Sequence, residues 1–284
     1  MKLKNLERNR LFLKTKDYSV SQEEFELWYN EAYDMLITHP QPSLENLSKY
    51  YENANYISHT DSKKTLFEKL YQFVKQIALK NKLKLINSLS KKGKILDIGA
   101  GVGDFLATVQ KDGWQTIGYE PSPNARTIAK QKGISFVESF SEIENHSLDV
   151  ITMWHVLEHV PNLEEQILEL KRMLKNNGTL IVAVPNYKSF DAQTYQDYWA
   201  AYDVPIHFWH FSKRSIELIF SEFNMELVNV LPMKFDSFYV SMLSEKYKNG
   251  KINYLKSISN GLKSNRYGNR ENEYSSHIYI LKNQ

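Results

Sequence analysis

Lys94-Ile-Leu-Asp-Ile-Gly-Ala-Gly-Val-Gly-Asp-Phe-Leu106 reads as a buried strand that runs into a glycine turn and then into a helix. Ile95, Leu96 and Ile98 form the short apolar run of a parallel strand covered on both faces. Gly99, Gly101 and Gly103 let the backbone turn tightly and approach a ligand with no Cβ in the way. Asp104 can open the next helix, whose apolar side carries Phe105, Leu106 and Val109. A strand, loop and helix of this kind offer backbone N–H groups to a bound cofactor.

The dinucleotide fingerprint G-x-G-x-x-G fails here, because its sixth position is Asp104. A carboxylate at the mouth of the loop would repel phosphates, which disfavours NAD and FAD. The pattern Asp97-x-Gly99-x-Gly101-x-Gly103 instead resembles motif I of the class I S-adenosylmethionine (SAM) methyltransferases. SAM carries a sulfonium and an ammonium but no phosphate, so acidic groups near its loop make electrostatic sense. The resemblance implies that Asp97 sits near the methionine amino group and that Gly99, Ala100, Gly101 and Gly103 border the cofactor. Trp114-Gln-Thr-Ile-Gly-Tyr-Glu120 is a plausible second strand, followed by Pro121-Ser-Pro123 and a helix through Ala125, Ile128 and Ala129. Glu120, with Pro121 beside it, falls about 20 residues past the glycine loop, where an acidic side chain can accept both ribose hydroxyls.

Asp149-Val-Ile-Thr-Met-Trp-His-Val-Leu-Glu-His-Val-Pro161 reads as a fourth strand and its following loop. His155, Glu158 and His159 spell H-x-x-E-H, a zinc-peptidase pattern. That chemistry needs all three on one helix, whereas here they straddle a strand end and Pro161 stops a helix from running back through them. No metal is expected. The segment resembles SAM methyltransferases related to the ubiquinone-biosynthesis O-methyltransferases. In that group Trp154 and His155 would lie beside the methionine part of SAM, while Glu158 and His159 would fix the loop.

Gly178-Thr-Leu-Ile-Val-Ala-Val-Pro-Asn186 is a fifth buried strand, preceded by an amphipathic helix through Leu163, Ile167, Leu170 and Leu174. Ile134-Ser-Phe-Val137 is a short third strand. The family's adenine contacts follow that strand, which implicates Ser139 and Phe140; Phe140 can equally be core. Met225 to Leu231 and Ser276 to Leu281 should add the last two strands. The expectation is a Rossmann-like α/β fold with a mostly parallel seven-stranded sheet and helices on both faces.

Asp203-Val-Pro-Ile-His-Phe-Trp-His-Phe-Ser212 looks like the D-x-P-R-H-x-x-H-F-S element of one subgroup of these enzymes, with Ser212 as the N-cap of a helix to Phe220. A histidine near the transfer site can take a proton near neutral pH. His207 leads as a catalytic base and His155 follows; hydrogen-bonding of the loop is the other reading of His207, and His210 is read as structural. Ile206 stands where the subgroup has arginine, which leaves that residue's hold on an anionic group in doubt.

Residues 1–60 read as an N-terminal cap and 61–284 as the methyltransferase domain, with 237–275 a lid or partner insertion. Phe25-Glu-Leu-Trp-Tyr29 alternates like a strand and Thr38 to Ser43 reads as a turn. The region is similar to a small zinc ribbon carried by some methyltransferases, but Asn30 and Tyr33 stand at the Cys-x-x-Cys positions, so no zinc is implied. Tyr50, Tyr51, Tyr56 and His59 are candidate pocket or packing residues. Asp61 is a suitable N-cap for a helix reaching about Leu89, with Leu66, Leu70, Phe73, Val74 and Ile77 at helical spacing. Ser237 to Leu243 reads as helical. Asn265 to Glu273, polar and containing glycine, is expected to be mobile.

The 284 residues are 42% apolar, enough for a real core. A formal charge of +3 is too small to argue for nucleic acid. The six Lys/Arg against one Glu in the first sixteen residues read as a solvated tail. Cysteine is absent, which removes disulfides and thiolate chemistry, and no apolar run is long enough for a signal peptide or membrane span. The chain is therefore expected to be a cytoplasmic SAM-dependent methyltransferase acting on a small-molecule or glycan/lipid-type acceptor, at oxygen. Its rivals are a non-catalytic SAM-binding module and a nicotinamide-dependent oxidoreductase.

Overall fold

The computed structural model describes residues 3, 6–51 and 66–284. Tyr56, His59 and Asp61 lie outside them. In chain order the elements are β1 (Arg10–Lys16), β2 (Glu24–Asn30), β3 (Met35–His39), α1 (Leu44–Leu47), α2 (Leu66–Leu89), β4 (Lys94–Ile98), α3 (Asp104–Lys111), β5 (Gln115–Tyr119), α4 (Pro123–Gln131), β6 (Ser135–Phe136) and β7 (Leu148–Trp154). There follow α5 (Leu163–Met173), β8 (Leu174–Pro185), α6 (Phe190–Tyr195), β9 (Trp209–His210), α7 (Lys213–Ser221), β10 (Met225–Pro232), α8 (Asp236–Asn249), α9 (Tyr254–Glu271) and β11 (Ser276–Asn283).

One sheet has seven strands in the order β10-β11-β8-β7-β4-β5-β6. β4 pairs in parallel with β5 and with β7, and β5 with β6. This is the expected Rossmann-like α/β fold. A second, four-stranded sheet in the order β1-β2-β3-β9 is antiparallel throughout.

The chain divides into two compact units. The first comprises Ala54–Trp154, Leu168–Ile181 and Lys282–Gln284. Here Ile95, Leu96, Val150 and Ile151 are buried on neighbouring strands, as apolar strands covered on both faces must be. β4 has β5 on one side and β7 on the other, so the chain reverses its direction of winding there. In such sheets ligands bind beyond the carboxyl ends of the strands at that reversal. The register pairs Ile98 with both Tyr119 and Met153, which brings Gly99, Glu120 and Trp154 to one edge.

The second unit comprises Met1–Asn53, His155–Ile167 and Val182–Leu281. Its core is aromatic, with Phe25, Tyr187, Tyr195, Trp199 and Tyr202 packed among Leu27, Leu36 and Val204. β3 pairs with β9 through Leu36↔His210 and Ile37↔Trp209, so the N-terminal strands seat directly on the histidine segment. Thr38 and His39 belong to β3 rather than to a turn. Asp34 holds this arrangement, accepting from Tyr29, Tyr187, Lys188 and Ser212. Asn30 donates to the Glu7 carbonyl and accepts the Tyr33 N–H at 2.9 Å.

The expectation of a mobile segment at Asn265 to Glu273 is corrected: Asn265 to Glu271 are the end of α9. The polarity is that of small residues at a close helix approach. A Cβ on Gly261 would come within 2.5 Å of the Phe238 ring, and one on Gly268 equally near Tyr274. Ser257 and Ser264 are buried on the same helix. α8 is also longer than the Ser237 to Leu243 reading.

Candidate active site

At the end of β4 the backbone takes positive φ at Gly99, Gly101 and Gly103 (72°, 53° and 77°). The glycines differ in purpose. A Cβ on Gly103 would lie 2.8 Å from the Ala129 Cβ, so this position lets the loop press onto α4. A Cβ on Gly101 would meet nothing within 4 Å, so the loop opens onto free space there.

Not all loop amides face that space. Gly99 and Ala100 N–H donate to the Tyr119 carbonyl at 2.8 and 3.1 Å. Gly101 N–H donates to Glu120 Oε2 at 2.8 Å, and Ser122 N–H to Glu120 Oε1 at 2.9 Å. Glu120 thus anchors the glycine loop, and each of its oxygens keeps a second lone pair for hydroxyl donors. Pro121 beside it is exposed.

The Asp97 side chain is 2% exposed and accepts a hydrogen bond from Thr152 Oγ1 at 2.6 Å. Burial pushes its carboxyl up to about 7 against the pull of Thr152 and Lys82, and Glu120 adds to the rise. A buried carboxylate in that condition gains from a cationic ligand. Asp104 does not stand free at the loop mouth, as its position suggested. Lys132 and Lys75 both bind it, and together they outweigh burial and hold its carboxyl below the usual range.

Trp154 meets Phe105 edge-on at 5.6 Å between centroids, and Lys82 Nζ lies 4.1 Å from the Trp154 ring centre. Lys82 was invisible to the sequence reading, being one lysine among several on α2. Phe140 packs on Tyr119 at 4.5 Å and remains half-buried. Ser139 is exposed and caps the short turn Phe140–Glu142, its hydroxyl accepting from Ser141 N–H and Glu142 answering through the Ser139 N–H.

The second unit gathers the histidines. His155, at φ 57°, places Nε2 2.9 Å from Asp236 Oδ2 and Nδ1 3.4 Å from Glu158 Oε1. Burial lowers its proton affinity, but Asp236 and then Glu158 prevail and raise it to about 10. His155 is accordingly a cation at neutral pH and cannot accept a proton there. Asp236 was not foreseen, because it is far away in sequence.

His207 is 7% exposed, and its Nδ1 lies 3.0 Å from the Ala201 carbonyl. A carbonyl only accepts, so Nδ1 carries the proton and Nε2 holds the lone pair. Burial, then His159 and His210, hold it neutral, well below the ordinary histidine value. His159 Nδ1 is tied to the Ile206 carbonyl at 3.1 Å, and its ring meets that of His207 edge-on at 4.4 Å. His210 Nε2 is paired with Thr38 Oγ1 at 2.9 Å and is neutral, burial bringing it to about 3. Phe208 N–H donates to the Glu158 carbonyl at 2.8 Å and Trp209 Nε1 to the Val160 carbonyl at 2.7 Å, so the two loops form one structure.

The fold and glycine loop define an α/β methyltransferase domain. Residues 65–230 match a family described as a methyltransferase domain, and the chain belongs to that family. It is 29% identical over 121 residues to the ubiquinone biosynthesis O-methyltransferase of Yersinia pestis, covering 37% of this chain and 50% of that protein. The chain thus spans about half the length of the curated relatives it matches. Among solved structures it is similar to one described as a sarcosine dimethylglycine methyltransferase from Galdieria sulphuraria (17% identical, TM-score 0.52, 76% of this chain and 88% of that one). It is also similar to phosphoethanolamine N-methyltransferase 2 of Haemonchus contortus in complex with SAM (16% identical, TM-score 0.51, 72% of this chain and 52% of that one). At these identities the two structures speak for the fold. The chain carries this methyltransferase domain, and its loop suits S-adenosylmethionine: open space at Gly101, a buried carboxyl at Asp97 and a loop-anchoring acid at Glu120. No helix among the described residues is long and apolar enough to cross a membrane.

Proposed function

We propose that this chain methylates an oxygen of a small-molecule or glycan/lipid-type acceptor. SAM supplies an electrophilic methyl on a sulfonium. The protein's own tasks are to bind it through Asp97, the glycine loop and Glu120, to align an acceptor and to keep water out. The observation that carries the choice of oxygen is the buried, neutral His207, whose fixed tautomer leaves Nε2 as a lone pair. A hydroxyl is a poor nucleophile until its proton is taken and so needs such a group, whereas a neutral amine does not. The partial likeness to ubiquinone O-methyltransferases supports the same atom. His155, already protonated, is left as a positioning residue.

Incubation with methyl-labelled SAM and a fractionated cell extract tests the reading. Label is expected in small-molecule or glycan/lipid material as a methyl ether or ester; label in protein or nucleic acid, or on nitrogen, would overturn it. His207→Ala should cut turnover at least a hundredfold, the usual scale for losing an acid–base group, with SAM affinity intact. A matching loss of SAM affinity would instead make His207 a cofactor or structural residue.

A further inference from the structure

Glu158 is 1% exposed, and neither carboxyl oxygen has a hydrogen-bond partner among the described residues. Burying a carboxylate without satisfying its oxygens costs several kcal/mol or about that order, so such a group calls for a cation. His155 Nδ1 is near Oε1 at 3.4 Å, but His155 is more closely held by Asp236 at 2.9 Å. The other oxygen is left bare.

Beside it stand two imidazoles prepared in the same way. His159 Nδ1 is fixed on the Ile206 carbonyl, and His207 Nδ1 on the Ala201 carbonyl. Each therefore holds its proton on Nδ1 and keeps Nε2 as a lone pair. Histidines that bind metals are oriented by the same kind of bond from the far nitrogen. One ligand atom from each of Glu158, His159 and His207 lies within 4.8 Å of the others. Around an ion with bonds of about 2.1 Å, tetrahedral ligand atoms stand about 3.4 Å apart, a closure within reach of small side-chain rotations.

We infer that Glu158, His159 and His207 form a binding site for one divalent transition-metal ion, of the zinc class. Two imidazoles and a carboxylate suit zinc or a neighbouring first-row ion better than calcium or magnesium, which prefer all-oxygen shells. Three protein ligands leave a position open for an oxygen ligand, and an ion there lowers the pKa of a bound hydroxyl; with the ion bound, His207 Nε2 is a ligand and this acidification takes the place of proton removal by His207. Only that role rests on the proposed transfer to oxygen; the site itself does not. The H-x-x-E-H spelling misleads about its composition. Its first histidine is turned toward Asp236, and the third ligand comes from the loop before β9, 48 residues after His159.

The test is zinc titration by calorimetry of the chelator-treated 284-residue chain, with cobalt absorption as a second readout. One zinc per chain is expected, with a visible cobalt band of low-coordinate geometry. Glu158→Gln and His207→Gln should each weaken zinc at least tenfold and abolish the band, while Asp34→Asn leaves the zinc affinity as it was. Circular dichroism establishes that each variant is folded, and His159→Gln replaces any that is not. No binding by the unaltered chain, or equal binding by all the folded variants, would overturn the inference. SAM binding, which uses Asp97 and Glu120, is measured on the same samples, so that failure of the methyltransferase reading shows separately.

Discussion

Glu120 and Gly101 are joined by one hydrogen bond: the loop amide donates to Oε2 at 2.8 Å. The other carboxylate oxygen takes the Ser122 N–H, so a single side chain ties the glycine loop to the start of α4. Glutamine offers one acceptor oxygen where two are used. Glu120→Gln is expected to weaken SAM by roughly tenfold to a hundredfold, about 1.5–3 kcal/mol, the scale of hydrogen bonds to a charged group. Calorimetric titration of SAM into the variant checks this.

Gly101 and Gly103 should separate binding from folding. Both have positive φ, which costs a residue with a Cβ about 1–2 kcal/mol. Gly101→Ala adds its methyl to open space and should lose little more stability than that, yet weaken SAM. Gly103→Ala drives its methyl into Ala129 and should destabilise the fold further, by about 1–3 kcal/mol of overpacking. Urea unfolding and SAM titration of both variants decide; equal effects on both quantities would contradict the assignment.

Asp97 gives a pH dependence of definite sign. Its carboxyl is raised from 3.8 to about 7, chiefly by burial. A raised carboxyl stabilises the fold relative to its ionised form at low pH, and this contribution is lost as pH climbs through about 7. Binding a cation runs the other way, since it needs the ionised form. SAM affinity is therefore expected to weaken as pH falls below about 7, approaching tenfold per unit. Asp97→Asn should bind weakly and lose this dependence between pH 6 and pH 8, about one unit either side of that value.

The parts legible in the sequence are those where local chemistry is decisive. Ile95, Leu96 and Ile98 could only be a buried strand, and three glycines before Asp104 could only be a turn. Ser212 caps α7 as its residue type suggests. What stayed hidden depends on residues brought together from afar. Nothing near Asp104 announces Lys75 and Lys132, and nothing near His155 announces Asp236. The polar run at Asn265 looked like a loop because the helix it ends packs through small buried residues, Ser257, Gly261, Ser264 and Gly268, rather than through an apolar stripe. The seating of β3 on β9 follows from neither strand alone, since Trp209–His210 is too short to carry a pattern.

Asp34 is such a long-range centre, buried and holding Lys188 and Ser212. Burial would raise its carboxyl, but the bonds from Lys188, Ser212 and Tyr29 prevail and lower it. Its contribution is present above the ordinary carboxylate value of about 3.9 and is lost as pH falls through its own lower one. Asp34→Asn is expected to cost about 2–4 kcal/mol at pH 7, as when one partner of a buried polar network is removed. The variant should also lose part of the acid sensitivity of the unaltered protein, read by urea unfolding at pH 7 and pH 3.5, about half a unit below that ordinary value.

Titration of SAM into the full chain, side by side with Glu120→Gln, bears on the cofactor loop itself. One SAM per chain, weakened in the variant, is the expected result. A chain that binds no SAM, or binds it equally with Glu120 replaced, would contradict a cofactor site built on this loop.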